Sequence, residues 1–266
     1  MRKTGKVIAI VQARLGSTRL PMKSLLCLRD VPVIDWVTRR LAQAANLDGI
    51  MVAVPDTPLD RVLMEHLQRR GVPCVAGSED DVLARFCLAA RTADAGRVVR
   101  VCADNPLIWS GAIDRLVGFY DQGGWDYAYN HIPRNNLWPD GLGAEILSRE
   151  LLEELDAKAA EISQREHCLN YIWDNAPSFK IGTFDPEEDW LRLNSSWIWT
   201  GLMTFAVWRS SPSIPTWTQG ILCACLARGR FSIIFLDDHC VIQHFLLQSW
   251  TKSAAVFISS FLRRNG

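Results

Sequence analysis

Short apolar runs alternate along this chain with stretches whose apolar residues recur every three or four positions. "KVIAIV" (6–11) has strand length, and in the following "VIDWVTRRLAQAA" Val33, Trp36, Val37 and Leu41 fall at helical spacing. "IMVAVP" (50–55) predicts a second strand. Thr57-Pro58-Leu59-Asp60 then supplies a capping hydroxyl, a proline at the first helical position and an acid in the first turn. "VPCVAG" (72–77) and "RVVRVCAD" (97–104) predict two more strands. Between them, Ser78 to Asp81 resembles a capping box opening a helix through "DVLARFCLAARTA", and Ser163 with Glu166 resembles another ahead of "HCLNYIW". This alternation predicts an α/β fold with a mostly parallel central sheet flanked by helices. Ligands of such sheets bind outside the carboxyl ends of the strands.

Composition changes this picture little. Lysine plus arginine equals aspartate plus glutamate, 29 each, so no global charge points to nucleic acid or a membrane surface, and any anion must be held by local charge. The basic and then apolar N-terminus is interrupted by Gln12 and Arg14 where a signal peptide would place small residues. No run approaches the roughly 18 apolar residues of a membrane span. The expectation is a soluble, cytoplasmic protein. Its eight cysteines are scattered without the spacing of a disulfide scaffold, so free thiols are expected.

The chemistry concentrates in "QARLGSTRLPMK" (12–23), the first strand-to-helix connection. Gly16 lets backbone N–H groups approach an anion, while Ser17 and Thr18 add donors. Arg14 and Arg19 bring forked hydrogen bonds and Lys23 a point charge. The set suits a polyphosphate, although the G-x-x-x-x-G-K-[ST] spacing of the P-loop is absent. A solvated basic turn with a serine cap is the alternative. Asp104 follows the apolar strand "VVRVCA" and precedes Asn105-Pro106, so it stands at the same edge, where a hard oxygen ligand can hold Mg²⁺. A plain turn aspartate is its alternative.

The loop resembles the signature of the CMP-sugar synthetase (cytidylyltransferase) superfamily. The closer likeness is to the spore-coat polysaccharide biosynthesis branch, related to Kdo and acylneuraminate cytidylyltransferases. It continues through "GSEDDVLARF" (77–86), "VRVCADNPLI" (99–108), "PDGLGAEI" (139–146) and "SQREHCLNYIW" (163–173). The resemblance implies a Rossmann-like nucleotidyltransferase domain over residues 1–193. It would use CTP and Mg²⁺ to activate a sugar or sugar acid, with release of pyrophosphate. Lys23, Arg14 and Asp104 would be catalytic, with Asp104 the metal ligand. Ala13, Arg14, Gly16, Ser17, Thr18, Arg19, Lys23, Ser78, Asp80 and Arg85 would bind the nucleotide. Asp140, Glu145, Arg165 and His167 fall where sugar contacts are implied, and a homodimer is implied as well. Two departures stand out. The branch has glycine where this chain has Met22, and "PDGLDVE" where this chain has Gly143-Ala144-Glu145.

After Leu193 the character changes. Six of the eleven tryptophans, Trp190, Trp197, Trp199, Trp208, Trp217 and Trp250, crowd the end of the chain. The resemblance implies a motif of the form "LRLTVDTPEDL" here, carrying a second metal-binding aspartate. Tryptophan and methionine each have one codon, ending in G. In the shifted frame Trp197–Ile198, Trp199–Thr200 and Met203–Thr204 are therefore each forced to aspartate. One permitted shifted reading of Asn194 to Phe205 is "LVLDLDGPDDL". Residues 194–266 thus read as an out-of-frame tail, and the competing reading is a genuine, divergent tryptophan-rich segment. Cys223, Cys225, His239, Cys240 and His244 lack the usual zinc spacing. Apolar "FSIIFL" and "AAVFISSFL" read as aggregation-prone segments.

The leading expectation is an enzyme that transfers CMP from CTP, impaired by its C-terminus. A non-catalytic nucleotide- or sugar-binding remnant is the second reading, and a nucleotide-sugar-dependent glycosyltransferase the third. The Gly-Ser-Thr-Arg loop with Lys23 favours a free triphosphate over the third, because departing pyrophosphate must be held.

Overall fold

A computed structural model describes residues 5–18, 20–138 and 141–186, and the backbone of three later strands. Two compact units divide the chain, Met1–Trp199 and Thr200–Gly266. The first begins with β1 (Lys6–Gln12), the small hairpin β2 (Cys27–Leu28) and β3 (Val31–Pro32), α1 (Val33–Leu41) and β4 (Gly49–Pro55). It continues through α2 (Arg61–Arg69), β5 (Cys74–Gly77), α3 (Val82–Thr92), β6 (Ala95–Cys102) and α4 (Ser110–Gly123). The last elements are β7 (Tyr127–Tyr129), β8 (Glu145–Ser148), α5 (Arg149–Lys158), α6 (Ile162–Glu166), α7 (Asn170–Asp174) and β9 (Ile181–Gly182).

The sheet runs β5-β4-β1-β6-β8-β7-β9. β1 pairs parallel with β4 and β6, β4 with β5, and β7 with β9. Only β8 runs against its neighbours β6 and β7. The predicted mostly parallel sheet is therefore present. β1 reads as an unbroken apolar run because both its faces are covered. Val7, Ala9 and Val11 pack with Ile34, Val37 and Leu41 of α1, Leu63 and Leu67 of α2, and Ile113 and Leu116 of α4. Ile8 and Ile10 pack on the other face with Leu83, Phe86 and Ala90 of α3 and Leu152 and Leu155 of α5.

Helix starts follow the sequence signals only in part. The Thr57 hydroxyl accepts the Asp60 N–H at 3.1 Å, but α2 begins one turn later than its capping pattern predicts, at Arg61 with Asp60 in the N-cap position, so Pro58 precedes the helix. For α3 the capping box is displaced by one turn. Asp81 caps the helix, accepting the Ala84 N–H at 2.9 Å, while Ser78 Oγ accepts the N–H of Asp81 itself at 3.0 Å. The second predicted capping box is not used. α6 begins at Ile162 with Ser163 inside it, ends at Glu166, and is separate from α7. The break has a packing cause, since Cys168 and Leu169 are drawn into the core between the two helices.

In the second unit, β10 (Cys223–Ala227), β11 (Arg230–Leu236) and β12 (Cys240–Leu246) form an antiparallel meander with β11 central. "FSIIFL" lies on β11. The aspartate-coding positions of the shifted frame lie outside the described residues, as do the side chains of Cys223, Cys225, His239, Cys240 and His244.

Candidate active site

The loop that leaves β1 is tied down at both ends. Ala13 is buried and donates its N–H to the Ala53 carbonyl at 3.2 Å, so its amide is spent on the sheet. The Leu15 N–H donates to Asp60 Oδ1 at 2.7 Å, and Asp60, at the start of α2, is itself buried. Backbone donors from Ser17 and Met22 both converge on the Leu15 carbonyl, at 2.8 and 3.0 Å. Arg14, Gly16 and Thr18 stay exposed around this fixed point, with Ser17 half-buried. Arg19 lies outside the described residues.

Met22 takes φ 60° and ψ 15°, a left-handed conformation. A side chain there costs about 1–2 kcal/mol relative to glycine. The turn thus keeps a glycine-type geometry at this departure from the branch, and Met22 offsets the strain by packing against the core. The turn delivers Lys23 to Asp104, Nζ to Oδ2 at 2.6 Å, with both side chains about one-fifth exposed. Ala103 donates its N–H to the Gln12 carbonyl at 3.0 Å, locking the ends of β1 and β6 together. Two groups 81 residues apart in sequence therefore meet at the carboxyl edge.

The 77–81 loop faces this one across Gly16, where a Cβ would come 3.9 Å from Glu79 Oε1. Arg85 reaches back from α3, and its Nη1 donates to the carbonyls of Ser78 and Glu79. Its guanidinium is buried, and Nε and Nη2 have no hydrogen-bond partner among the described residues. Burial lowers the Arg85 pKa from the ordinary guanidinium value, and the nearby charge of Arg14 adds to the effect. A buried cation with unspent donors beside a second cation favours an anionic or carbonyl-bearing ligand. Ser78 and Asp80 are exposed.

The positions implied as sugar contacts separate. Glu145, at the start of β8, is buried and bound to Arg100 of β6, while Tyr127 Oη donates to Glu145 Oε1 at 2.5 Å. His131 Nε2 stands 3.9 Å from the same oxygen. Arg165 holds Asp81 and Asp156, the latter at 2.7 Å, and so fastens α6 to the cap of α3 and to α5. His167 is exposed at the end of α6, and Asp140 lies outside the described residues. Three residues that were not among the implied site residues matter here: Asp60, Arg100 and Tyr127. Arg100 had a signal, being a charge inside the apolar run "VVRVC". Asp60 was legible only as a first-turn acid and Tyr127 had no signal, because each acts on a residue distant in sequence.

Burial alone would raise the Glu145 pKa, but Arg100, His131 and the Tyr127 hydroxyl outweigh it and hold the carboxyl below its ordinary value. For Arg100, burial works against the charge and Glu145 overcomes it, leaving the guanidinium well above its ordinary value. The sign for stability follows from the lowered carboxyl pKa. Its contribution is complete above the unfolded carboxylate pKa and is lost as pH falls through the lower folded value. Thermal melts from pH 7 to pH 3 should show this loss, and Glu145→Gln should melt lower at neutral pH with a flatter acid limb. An unchanged acid limb in that variant would contradict the assignment.

The cysteine expectation holds among the described residues, where Cys27, Cys74, Cys87, Cys102 and Cys168 are all free. Burial pushes Cys87 and Cys168 up to about 12, which leaves them unreactive as nucleophiles. No helix among the described residues is long and apolar enough to cross a membrane.

Comparisons with known proteins show what the chain is similar to. The profile of a family described as cytidylyltransferase matches residues 8–193. The spore coat polysaccharide biosynthesis protein SpsF of Bacillus subtilis is 28% identical over 187 residues, covering 68% of this chain and 76% of that protein. A cytidylyltransferase structure from Leptospira borgpetersenii serovar Hardjo-bovis is similar at 32% identity and TM-score 0.63, covering 69% of this chain and 76% of its own. The structure of CMP:2-keto-3-deoxy-manno-octonic acid synthetase complexed with CTP shares the fold at TM-score 0.53 and 18% identity, covering 68% of this chain and 90% of its own.

Proposed function

Since the chain belongs to the cytidylyltransferase family, we propose that it transfers CMP from CTP to an oxygen of a sugar or sugar acid and releases pyrophosphate. The observation that carries this reading is the Lys23–Asp104 pair at 2.6 Å, on the carboxyl edge beside a loop of exposed backbone and cations. A hydroxyl oxygen of the acceptor would form a bond to the α-phosphorus as the bond to pyrophosphate breaks. The hydroxyl proton leaves with solvent or a phosphate oxygen.

Each residue then has a physical task. Gly16 permits close backbone approach to the phosphates, and Arg14, Arg19 and Lys23 neutralise them and hold the departing pyrophosphate. Asp60 and the Leu15 carbonyl keep the loop in shape before the nucleotide arrives. Arg85 fixes the 77–81 loop and offers its free donors to the nucleoside side, with Ser78 and Asp80 at the rim. Asp104 fits Mg²⁺, because a partly exposed carboxylate with Oδ2 held by Lys23 still offers an oxygen to an ion that takes one or two carboxylates with phosphate oxygens and water. Bound there, Mg²⁺ would supply charge neutralisation at the α-phosphate. Residues 1–193 would form this nucleotidyltransferase domain. Surface-polysaccharide biosynthesis as its setting rests on the likeness to SpsF.

Calorimetry with CTP and Mg²⁺, followed by pyrophosphate release with candidate acceptors, tests the reading. Tight CTP binding, weaker UTP binding and acceptor-dependent release support it. Binding without release from any acceptor would favour a non-catalytic remnant, and failure to bind any nucleotide would sink it. The shifted frame adds a separate expectation. A chain recoded to continue as "LVLDLDGPDDL" gains acidic residues where the resemblance implies the second metal ligand. It should release pyrophosphate at least about tenfold faster at equal enzyme concentration, the rate equivalent of about 1.4 kcal/mol. Equal rates would mean that the recorded tail is genuine and sufficient.

A further inference from the structure

On the α3 side of the sheet, the apolar surface of Ile8, Ile10 and Val98 gives way at the carboxyl edge to polar side chains. Gln12, Arg100, Glu145 and Tyr127 form a connected row there. Arg100 Nη2 donates to Gln12 Oε1 at 3.3 Å, its other terminal nitrogen binds Glu145, and Glu145 accepts the Tyr127 hydroxyl. Glu145 and Tyr127 are buried, and Gln12 at the outer end is half-exposed.

The direction of this row is fixed by chemistry. A guanidinium donates hydrogen bonds and cannot accept them, so the face of the Gln12 amide turned to Arg100 must be its oxygen. The amide NH₂ then points away, and no protein acceptor takes it among the described hydrogen bonds. Arg100 cannot swing to release Gln12, because Glu145 holds it, and Glu145 is fixed in turn by Tyr127. The row therefore presents one oriented donor at the last residue of β1. The Lys23–Asp104 pair stands at the same edge, on the loop after β1 and the turn after β6.

We infer that Gln12 donates a hydrogen bond to the nucleotide, and that Arg100 and Glu145 are positioning residues that set the direction of this donor. Glu145, implied by resemblance to touch the sugar, acts instead through Arg100. This deepens the proposed function and rests on that reading. The adjacent cations mark the nucleotide as the recipient, and an oxygen of its phosphate or ribose supplies the acceptor.

The test uses the full chain, CTP with Mg²⁺ in a calorimeter, and no sugar. Gln12→Glu keeps an oxygen toward Arg100 but turns the outward donor into an acceptor beside an anion. It should weaken CTP binding about tenfold or more while the melting temperature is held or raised. Gln12→Ala should weaken binding about fivefold, the effect of one neutral hydrogen bond. Glu145→Gln should lower CTP affinity in the same sense, and Glu145→Asp should recover part of it, a rescue that loss of packing would not give. If Gln12→Glu binds CTP like the wild-type chain while Arg14→Ala does not, the nucleotide reading stands and the role of Gln12 is overturned. If the wild-type chain fails to bind CTP, the proposed function falls and takes this inference with it. If CTP binding by Gln12→Glu is unaltered and, in a separate pyrophosphate-release assay, only the acceptor KM rises, Gln12 serves the sugar and the inference is wrong.

Discussion

Lys23→Ala is expected to leave the protein folded and nearly inactive. The Nζ atom stands 2.6 Å from Asp104 at the edge where the triphosphate is proposed to lie. Removing one fixed positive group from a site of developing charge costs about 10²–10³ in kcat. Stability should fall as well, by about 1–3 kcal/mol, because the pair is only about one-fifth exposed and Asp104 is left without its partner. Lys23→Arg should restore little, since a planar fork does not reproduce a compact ammonium in contact with one carboxylate oxygen. Pyrophosphate release at saturating CTP, measured beside thermal melts, separates the two effects. A Lys23→Ala enzyme within about threefold of wild type would remove Lys23 from the phosphate site, since so small a change is under 1 kcal/mol.

Gly143→Ala is expected to have the largest effect on stability. A Cβ at position 143 would lie 2.2 Å from both the backbone oxygen and the amide oxygen of Asn130. Asn130 cannot move aside cheaply. It is fully buried, donates to the Ala112 carbonyl at 2.9 Å and accepts the Ala144 N–H at 2.9 Å. Forcing atoms into such a site costs about 1–3 kcal/mol or more, and for a domain of this size each kcal/mol lowers Tm by about 2–4 °C. Gly143→Asp, which writes the branch's "PDGLD" into this chain, should be worse, adding a charge beside two oxygens. A melting temperature within about 2 °C of wild type for Gly143→Ala would mean that this backbone yields more easily than its hydrogen bonds imply. The departure at Gly143 is thus a requirement of the observed backbone.

The strands legible in the sequence were those buried on both faces. "KVIAIV" and "IMVAVP" announce themselves because no polar face interrupts them. β7 and β9 did not, since three residues and two carry no measurable period. The loop proposed to hold phosphates was marked by Gly16 and its cations, which follow one another along the chain. What stabilises that loop was not. Asp60 meets Leu15 from 45 residues away and Arg165 meets Asp81 from 84, and no local spacing encodes such pairs. The capping box at Ser78 failed for a local reason. Its spacing was real, but Asp81 stood one turn closer to the helix and took the capping bond. Arg100 shows what a sequence can signal without explaining. A cation in a buried strand announces a partner, and only the fold names it as Glu145.

β1 is the first strand of the sheet to be synthesised and lies inside it between β4 and β6, and this order has a consequence for biogenesis. Both hydrogen-bonding edges of β1 stay open until β4 and then β6, which ends at Cys102, leave the ribosome. At about 5–20 residues per second that interval lasts roughly 5–20 s. Throughout it an apolar strand is exposed to other nascent chains, and the nucleotide proposed to bind here can offer no protection because Asp104 has not yet been made. Expression at lower temperature or with a holding chaperone should therefore raise the soluble yield more than added nucleotide does.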